Sequence, residues 1–326
     1  MFTDEFGPRR PPSRRTRLRS DLPTSLTSPT KRSVMGATES SSNVAAALLA
    51  VADGDLPAAI RTTRAAADRC PRSALAPALL AYLQRAASHG VYDEPSAFEG
   101  FIDGGSNPHL YDRAIAAVAA HHREVRPSSV LDIGCGDGRV TAAVAVPETR
   151  RVDLVEPSPP LLEHARERLA HVEAPATAHE QHVETFLQGD GRQRRWDLAQ
   201  ATFALHTLDP ATRATVLAAL AERVGRLLIV EFDVPDFEDG SVEHAAYAAA
   251  RFESGVAEYR DHPEVVDGFL MPVLVGQFDP ERTRHTHEQA AVEWEAQLRA
   301  NGFRHLTVTR LTEFWWAPAV LLTAEP

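Results

Sequence analysis

The run SSVLDIGCGDGRV at residues 128–140 constrains this chain more than any other stretch. Val130 to Ile133 read as a short apolar strand with one acid, Asp132, near its end. Gly134, Gly136 and Gly138 follow at alternate positions before helical spacing begins. Residues without a Cβ let the backbone turn sharply and pass close to a ligand, and the helix that opens next presents free backbone N–H groups. A nicotinamide-binding loop spaces its glycines as G-x-G-x-x-G. Position 139 here is Arg139, which weighs against a dinucleotide.

Downstream, short apolar runs alternate with helical segments, the pattern of a parallel sheet with crossover helices. The expected strands are 130–133, 152–155, 197–202, 227–232, 306–309 and 320–323, with a weaker third strand somewhere in 178–186. The expected helices are 138–146, 160–172, 211–224 and 288–301, the last closed by Gly302 as a left-handed cap. The last two strands are joined by only a short turn, so they read as a hairpin.

Together these residues resemble motif I of the class I S-adenosylmethionine-dependent methyltransferases, small-molecule type, in which an acid at a strand end precedes G-x-G-x-G. The resemblance covers about residues 111–326. It implies an α/β fold with a doubly wound, seven-stranded, mostly parallel sheet (a Rossmann-like methyltransferase fold), S-adenosyl-L-methionine as cofactor, and a cofactor site at Asp132, Gly134, Gly136, Gly138, Glu156, Thr185, Phe186, Thr202 and Phe203. Glu156 ends the second strand 24 residues after Asp132, where a carboxylate can accept both ribose hydroxyls. Thr185 and Phe186 match the positions that flank the adenine. The family often has an acid where this chain has Thr185, which leaves the adenine amino group to a backbone carbonyl or to Glu184.

Methyl transfer needs alignment, exclusion of water and, for a weakly acidic acceptor, a base. His206, in the turn after the fourth strand, is the expected base, because that turn faces the transferred methyl in the family and imidazole titrates near neutrality. Glu231 and Asp233, at the end of the fifth strand, are secondary candidates. The pairs His121-His122 and His285-x-His287 lack metal-ligand spacing, and no metal is expected.

Around this core lie three further segments. Residues 1–42 are rich in Arg, Ser, Thr and Pro with no apolar period, which predicts a disordered basic tail; no apolar run follows its Arg pairs, which argues against export. Residues 43–110 read as a helical cap; the aromatics Tyr92, Phe98, Phe101 and Tyr111 around the glycine hinge Gly104-Gly105 form either a ligand lid or ordinary packing onto the next domain. The stretch 234–287 is too long for a plain connection and reads as a lid insertion whose Phe269 and Met271 wall the substrate. Trp315 and Trp316 either cap the pocket or meet another subunit.

The net charge of −11 disfavours a general polyanion binder. With no run long enough for a membrane span, the expected partner is a small-molecule acceptor, not nucleic acid or a membrane; oligomeric state is left open. Two cysteines, too few for a disulfide framework, suggest the cytoplasm. Two alternatives to methyl transfer remain: cyclisation of S-adenosylmethionine into azetidine-2-carboxylate, since VYDEPSAF, GFLMPVL and WWAPAVL are distantly similar to such enzymes, and a non-catalytic scaffold that binds the cofactor.

Overall fold

The computed structural model describes residues 39–85, 95–172, 174–281, 284 and 286–326. Most of the expected basic tail, the aromatic Tyr92 and His285 lie outside the described residues. The four residues 39–42, assigned above to the tail, are instead the start of the first helix.

The chain order is α1 (Glu39–Ala52), α2 (Leu56–Arg69), α3 (Leu75–Gln84), α4 (Pro95–Asp103), α5 (Asn107–Val125), β1 (Ser129–Ile133), α6 (Arg139–Val144), β2 (Arg151–Val155), α7 (Pro159–Leu169), β3 (Ala176–His179), α8 (Val183–Gln188), β4 (Trp196–Thr202), a 3-10 turn (Leu205–Thr207), α9 (Pro210–Ala221), β5 (Val224–Phe232), α10 (Val242–Glu258), α11 (Pro263–Val265), a π turn (Val266–Leu270), α12 (Met271–Gly276), α13 (Ala291–Ala300), β6 (His305–Thr312) and β7 (Ala319–Glu325). The seven strands form one sheet in the order β3-β2-β1-β4-β5-β7-β6. The first five strands run parallel, while β7 is antiparallel to both β5 and β6.

Central strands are covered on both faces, so their residues are buried regardless of alternation; Val130 to Ile133 are all buried. The chain leaves β1 toward β2 and β3 on one side and returns to β4 and β5 on the other. Such a reversal leaves a crevice beyond the carboxyl ends of β1 and β4, the usual place for a ligand in open α/β sheets.

The weak third strand is shorter than expected. It ends at His179, and residues 183–186 belong to α8, because Val183, Phe186 and Leu187 bury one face at helical spacing. β3 has little apolar content because it is the sheet's edge, with Ala176 and Thr177 exposed.

The helical cap and the insertion share one core. Val44, Leu48, Leu79, Phe252, Leu270 and Met271 are buried in the same cluster. Acids of α10 serve the cap helices: Glu253 accepts from Ala74 N at 2.6 Å and Ser73 Oγ at 2.6 Å, at the start of α3, which has no side-chain cap of its own. Glu258 does the same for Ser106 N at 2.9 Å, beside the start of α5. Each satisfies donors that a helix leaves free at its N-terminus. Trp316, in the β6–β7 turn, packs edge-on to Tyr247 and Phe252 in that core.

Candidate active site

The glycine loop after β1 is folded back on β2: Gly134 N donates to Val155 O at 2.8 Å and Cys135 N to the same oxygen at 3.3 Å. Gly134 has φ +62°, and a Cβ there would lie 2.5 Å from Ala204 Cβ in the segment after β4. Gly138 has φ +74° and packs against α7, where a Cβ would come within 2.7 Å of Leu169 Cδ1. The glycines at these two sites bring β4 and α7 close to the loop; any side chain would push them apart.

Glu156 lies just beyond β2, buried, with Oε2 accepting from Gly136 N at 3.1 Å and Oε1 from Ser158 N at 2.9 Å. Burial raises its pKa, and the two backbone donors partly offset this. Asp132 is 2 % exposed; burial pushes its pKa up to about 7, against the hydrogen bond from Thr141 Oγ1. Neither carboxylate has a cationic partner among the described residues.

Phe203, directly after β4, has φ +52°. A non-glycine residue in this region carries backbone strain on the order of 1–3 kcal/mol, a cost concentrated at functional sites in folded proteins. Its N–H is held by Val230 O at 2.8 Å, and its ring stacks on Phe232 and meets Tyr111 edge-on.

These groups line one cleft of about 750 Å³ beyond the ends of β1, β2 and β4, within the size range of small-molecule sites. Asp132, Gly134, Gly136, Glu156, Thr202 and Phe203 all border it. Thr202 Oγ1 is buried there without a hydrogen-bond partner. The opposite wall is α4, through Phe98 and Ile102. Two contacts join α4 to the loop side: the ion pair of Asp103 with Arg139 at 3.0 Å and the approach of Glu99 to His164 Nδ1 of α7 at 3.4 Å. Arg139 also stands over the Tyr111 ring, 5.2 Å from its centre.

Other expected site residues lie elsewhere. Gly138 supports the loop from behind. Thr185 and Phe186 do not border the cleft; Phe186 is wholly buried against His179 and Trp196, and the cleft meets α8 at His182 and Val183 instead. The reason is position along the helix: the start of α8 reaches the crevice, while Phe186, one turn further along the same buried face as Val183, packs wholly in the core. Phe269 and Met271 are core residues of the cap, 9 % and 0 % exposed; Phe269 touches the site only through Phe98, ring centres 5.6 Å apart.

His206 is also outside the cleft, although Leu205 and Thr207 border it. Its Nδ1 is 2.8 Å from Glu231 Oε2, and Glu231, opposing the cost of burial, raises its pKa to about 9. The expected base thus faces Glu231, which favours its charged form, rather than the cleft. Glu231 is engaged by that pair. Asp233 is equally engaged: its Oδ1 accepts from Ala291 N at 2.7 Å, which pins the foot of the insertion.

Sequence reasoning left the aromatics around Gly104-Gly105 open between a ligand lid and packing, and missed the chain His122, Gln200, Thr141 behind Asp132. Phe98 and Tyr111 were the available signal for the α4 wall; a histidine continuing the apolar i, i+4 stripe Leu110, Ala114, Val118 was the signal for the chain. Among the described residues no group of three His, Cys, Asp or Glu is placed to hold a metal ion, and no helix is long and apolar enough to cross a membrane.

Residues 130–226 match the family model of a methyltransferase domain, the span from β1 to the beginning of β5. No curated protein matches the chain. Among solved structures, the chain is similar to the S-adenosylmethionine-dependent methyltransferase SibL in its apo form, at 20% identity over 85% of this chain and 76% of that one, TM-score 0.49. It is also similar to PigF with S-adenosylhomocysteine, at 16% identity over 74% and 63%, TM-score 0.45, and to magnesium protoporphyrin IX methyltransferase (ChlM) from Synechocystis with bound S-adenosylmethionine, at 12% identity over 67% and 78%, TM-score 0.42.

Proposed function

We propose that this enzyme, whose residues 130–226 form a class I S-adenosylmethionine-dependent methyltransferase domain, moves the methyl group of that cofactor to a small-molecule acceptor in the cleft between the glycine loop and α4. The observation that carries the reading is the pair of buried carboxylates, Asp132 and Glu156, which stand at adjacent strand ends without cations and face one cleft with the orphaned Thr202 hydroxyl. A ligand with hydroxyl donors and an ammonium group would satisfy both, and the cofactor's ribose and methionine end supply these.

In this reading Glu156 keeps lone pairs free for the ribose hydroxyls while Gly136 N and Ser158 N hold its carboxylate in place. Asp132 faces the methionine ammonium. Backbone around Gly134 lies against the cofactor with no side chain between, and His182 and Val183 border its adenine in place of Thr185 and Phe186. When bound, S-adenosylmethionine supplies a methyl already activated by its sulfonium, so the chain's task is placement and exclusion of water. Phe203, Tyr111, Phe98 and Ile102 wall the space beside the methyl and give it an apolar lining. The overall charge of −11 and this lining favour a small, partly apolar acceptor over nucleic acid. Two free cysteines, Cys70 and Cys135, support a cytoplasmic location.

The test is to incubate the protein with S-adenosylmethionine, alone and with a panel of small metabolites, and to identify products by mass. S-adenosylhomocysteine formed only with an added metabolite is the expected result. Methylthioadenosine formed without any acceptor, above the spontaneous background, would replace the reading with cyclisation, and neither product despite binding would replace it with a scaffold.

A further inference from the structure

Behind Asp132 runs a line of buried polar side chains that ordinary packing does not call for. Thr141 Oγ1 of α6 donates to Asp132 Oδ2. Gln200 Nε2 of β4 donates to Thr141 Oγ1 at 3.1 Å, and Gln200 Oε1 lies 2.8 Å from His122 Nε2 of α5. All four residues are 1–2 % exposed.

The direction of the line follows from its far end. His122 Nδ1 is buried with no partner. If Gln200 were turned over, His122 Nε2 would have to accept, its proton would move to Nδ1, and a buried N–H would be stranded. In the observed arrangement only a lone pair goes unmatched, the smaller of the two costs. His122 therefore donates to Gln200, Gln200 to Thr141 and Thr141 to Asp132, with every dipole pointing at the carboxylate; the Gln200 amide also favours the ionised carboxylate directly. Aligned hydrogen bonds of this kind strengthen one another in a low-dielectric interior.

An apolar residue at position 122 would continue the stripe Leu110, Ala114, Val118 and avoid the unmatched nitrogen. The line is kept at the one place where its other end opens into the cleft. Without Gln200 on its oxygen, the Thr141 hydroxyl is free to turn to the carbonyl one turn back in its helix, as threonines in helices commonly do.

We infer that Gln200 and His122 are positioning residues for cofactor binding: Gln200, through Thr141 and directly, and His122, through Gln200, fix the orientation of the Asp132 carboxylate and hold it ionised so that it can receive the cofactor's ammonium group. The inference rests on the reading of the cleft as a methyl-donor site.

The titratable groups around Asp132 leave the relay as the feature to vary. Glu156, from the end of β2, opposes Asp132 ionisation with like charge but takes no part in the relay. Cys135, in the glycine loop, is a thiol whose pKa burial pushes well up, so it stays neutral. His122, on α5, has its pKa lowered by burial and is neutral too. Asp137 and Arg139, bordering the same cleft, are paired with each other.

The experiment is calorimetric titration of the full chain with S-adenosylhomocysteine, which keeps the ammonium group and lacks the reactive sulfonium, at pH values from about 5.5 to 8.5. Wild-type affinity should rise with pH through an inflection near 7, as Asp132 ionises. Gln200→Leu should move that inflection up by about one pH unit, the usual worth of a hydrogen bond to a charged group, and so weaken binding about fivefold at pH 7. His122→Phe, at the end of the line, should shift it the same way by less, and Thr141→Ser, which keeps the hydroxyl donor, should leave it in place. Melting curves check that each variant is folded; should Gln200→Leu fail to fold, His122→Phe reads the same relay from a site next to an apolar stripe. Folded variants that bind with an unmoved inflection overturn the relay while leaving the cleft assignment intact. Absence of binding by the wild type at every pH overturns the cleft assignment and the relay with it.

Discussion

His206 and Glu231 form a double contact behind the cleft: Glu231 Oε2 meets the imidazole Nδ1 at 2.8 Å while Oε1 accepts the His206 backbone N–H at 3.1 Å. The turn after β4 is thus fastened to the end of β5, and His206 serves as an anchor for the segment that carries Leu205 and Thr207 to the cleft. The pair also makes stability depend on pH. The folded pKa of His206, raised to about 9, lies above the unfolded value of about 6.5. Its contribution is therefore complete below about pH 6.5 and is lost as pH rises through 9.

His206→Ala leaves the buried Glu231 carboxylate unpaired and should cost about 3 kcal/mol. Denaturant unfolding of wild type and variant at pH 6 and pH 9.5 checks this: the gap between them should narrow at the higher pH. A gap that widens toward high pH would mean that the imidazole is not held protonated in the folded protein.

Met271 and Phe98 separate packing from substrate contact. Met271→Ala removes a fully buried side chain from the cap core and should cost about 2–5 kcal/mol, lowering Tm by about 5 °C or more, with turnover per folded molecule retained. Phe98→Ala opens the cleft wall and should lower kcat/KM for the acceptor about tenfold with cofactor affinity nearly unchanged. Melting curves and steady-state kinetics on the two variants distinguish the roles, and the reverse pattern would make α12, not α4, the substrate wall.

Much of the sheet was legible because its signals are local. A strand ending in Asp132, a glycine at every second position and an apolar run closing at Glu156 each depend on neighbours in sequence. The wall of the cleft was only half legible. Its aromatics suggested a lid or packing, and local sequence could not decide, because α4 is held by residues far along the chain: Phe101 packs on Tyr259 and Phe269, and Asn107 Nδ2, just after α4, meets the Tyr259 hydroxyl at 2.7 Å. Position along α8 misled the reading at 185–186: only the start of that helix reaches the crevice, and Phe186, one turn further along the same face, lies in the core. At His206 the residue type suggested a base, and its contact with Glu231, 25 positions away, is a long-range pairing that the local sequence does not show.

Cys135 and Cys70 should differ in reactivity. Burial beside Asp132 and Glu156 pushes the Cys135 thiol far above its ordinary range, and the thiolate is the reactive form. Brief treatment with iodoacetamide at pH 8, followed by peptide mass mapping, should label the partly exposed Cys70 and spare Cys135. Comparable labelling of both would mean that the glycine loop opens to solvent.

Binding of S-adenosylhomocysteine to wild type and to Glu156→Gln, measured by titration calorimetry at pH 8, tests the central claim most directly. One molecule should bind per chain, and the substitution should weaken binding roughly tenfold to a hundredfold, the worth of a charge-assisted hydrogen bond to the ribose, while the melting temperature of the free protein stays level. Equal affinity in the two proteins, or no binding by the wild type, would contradict it.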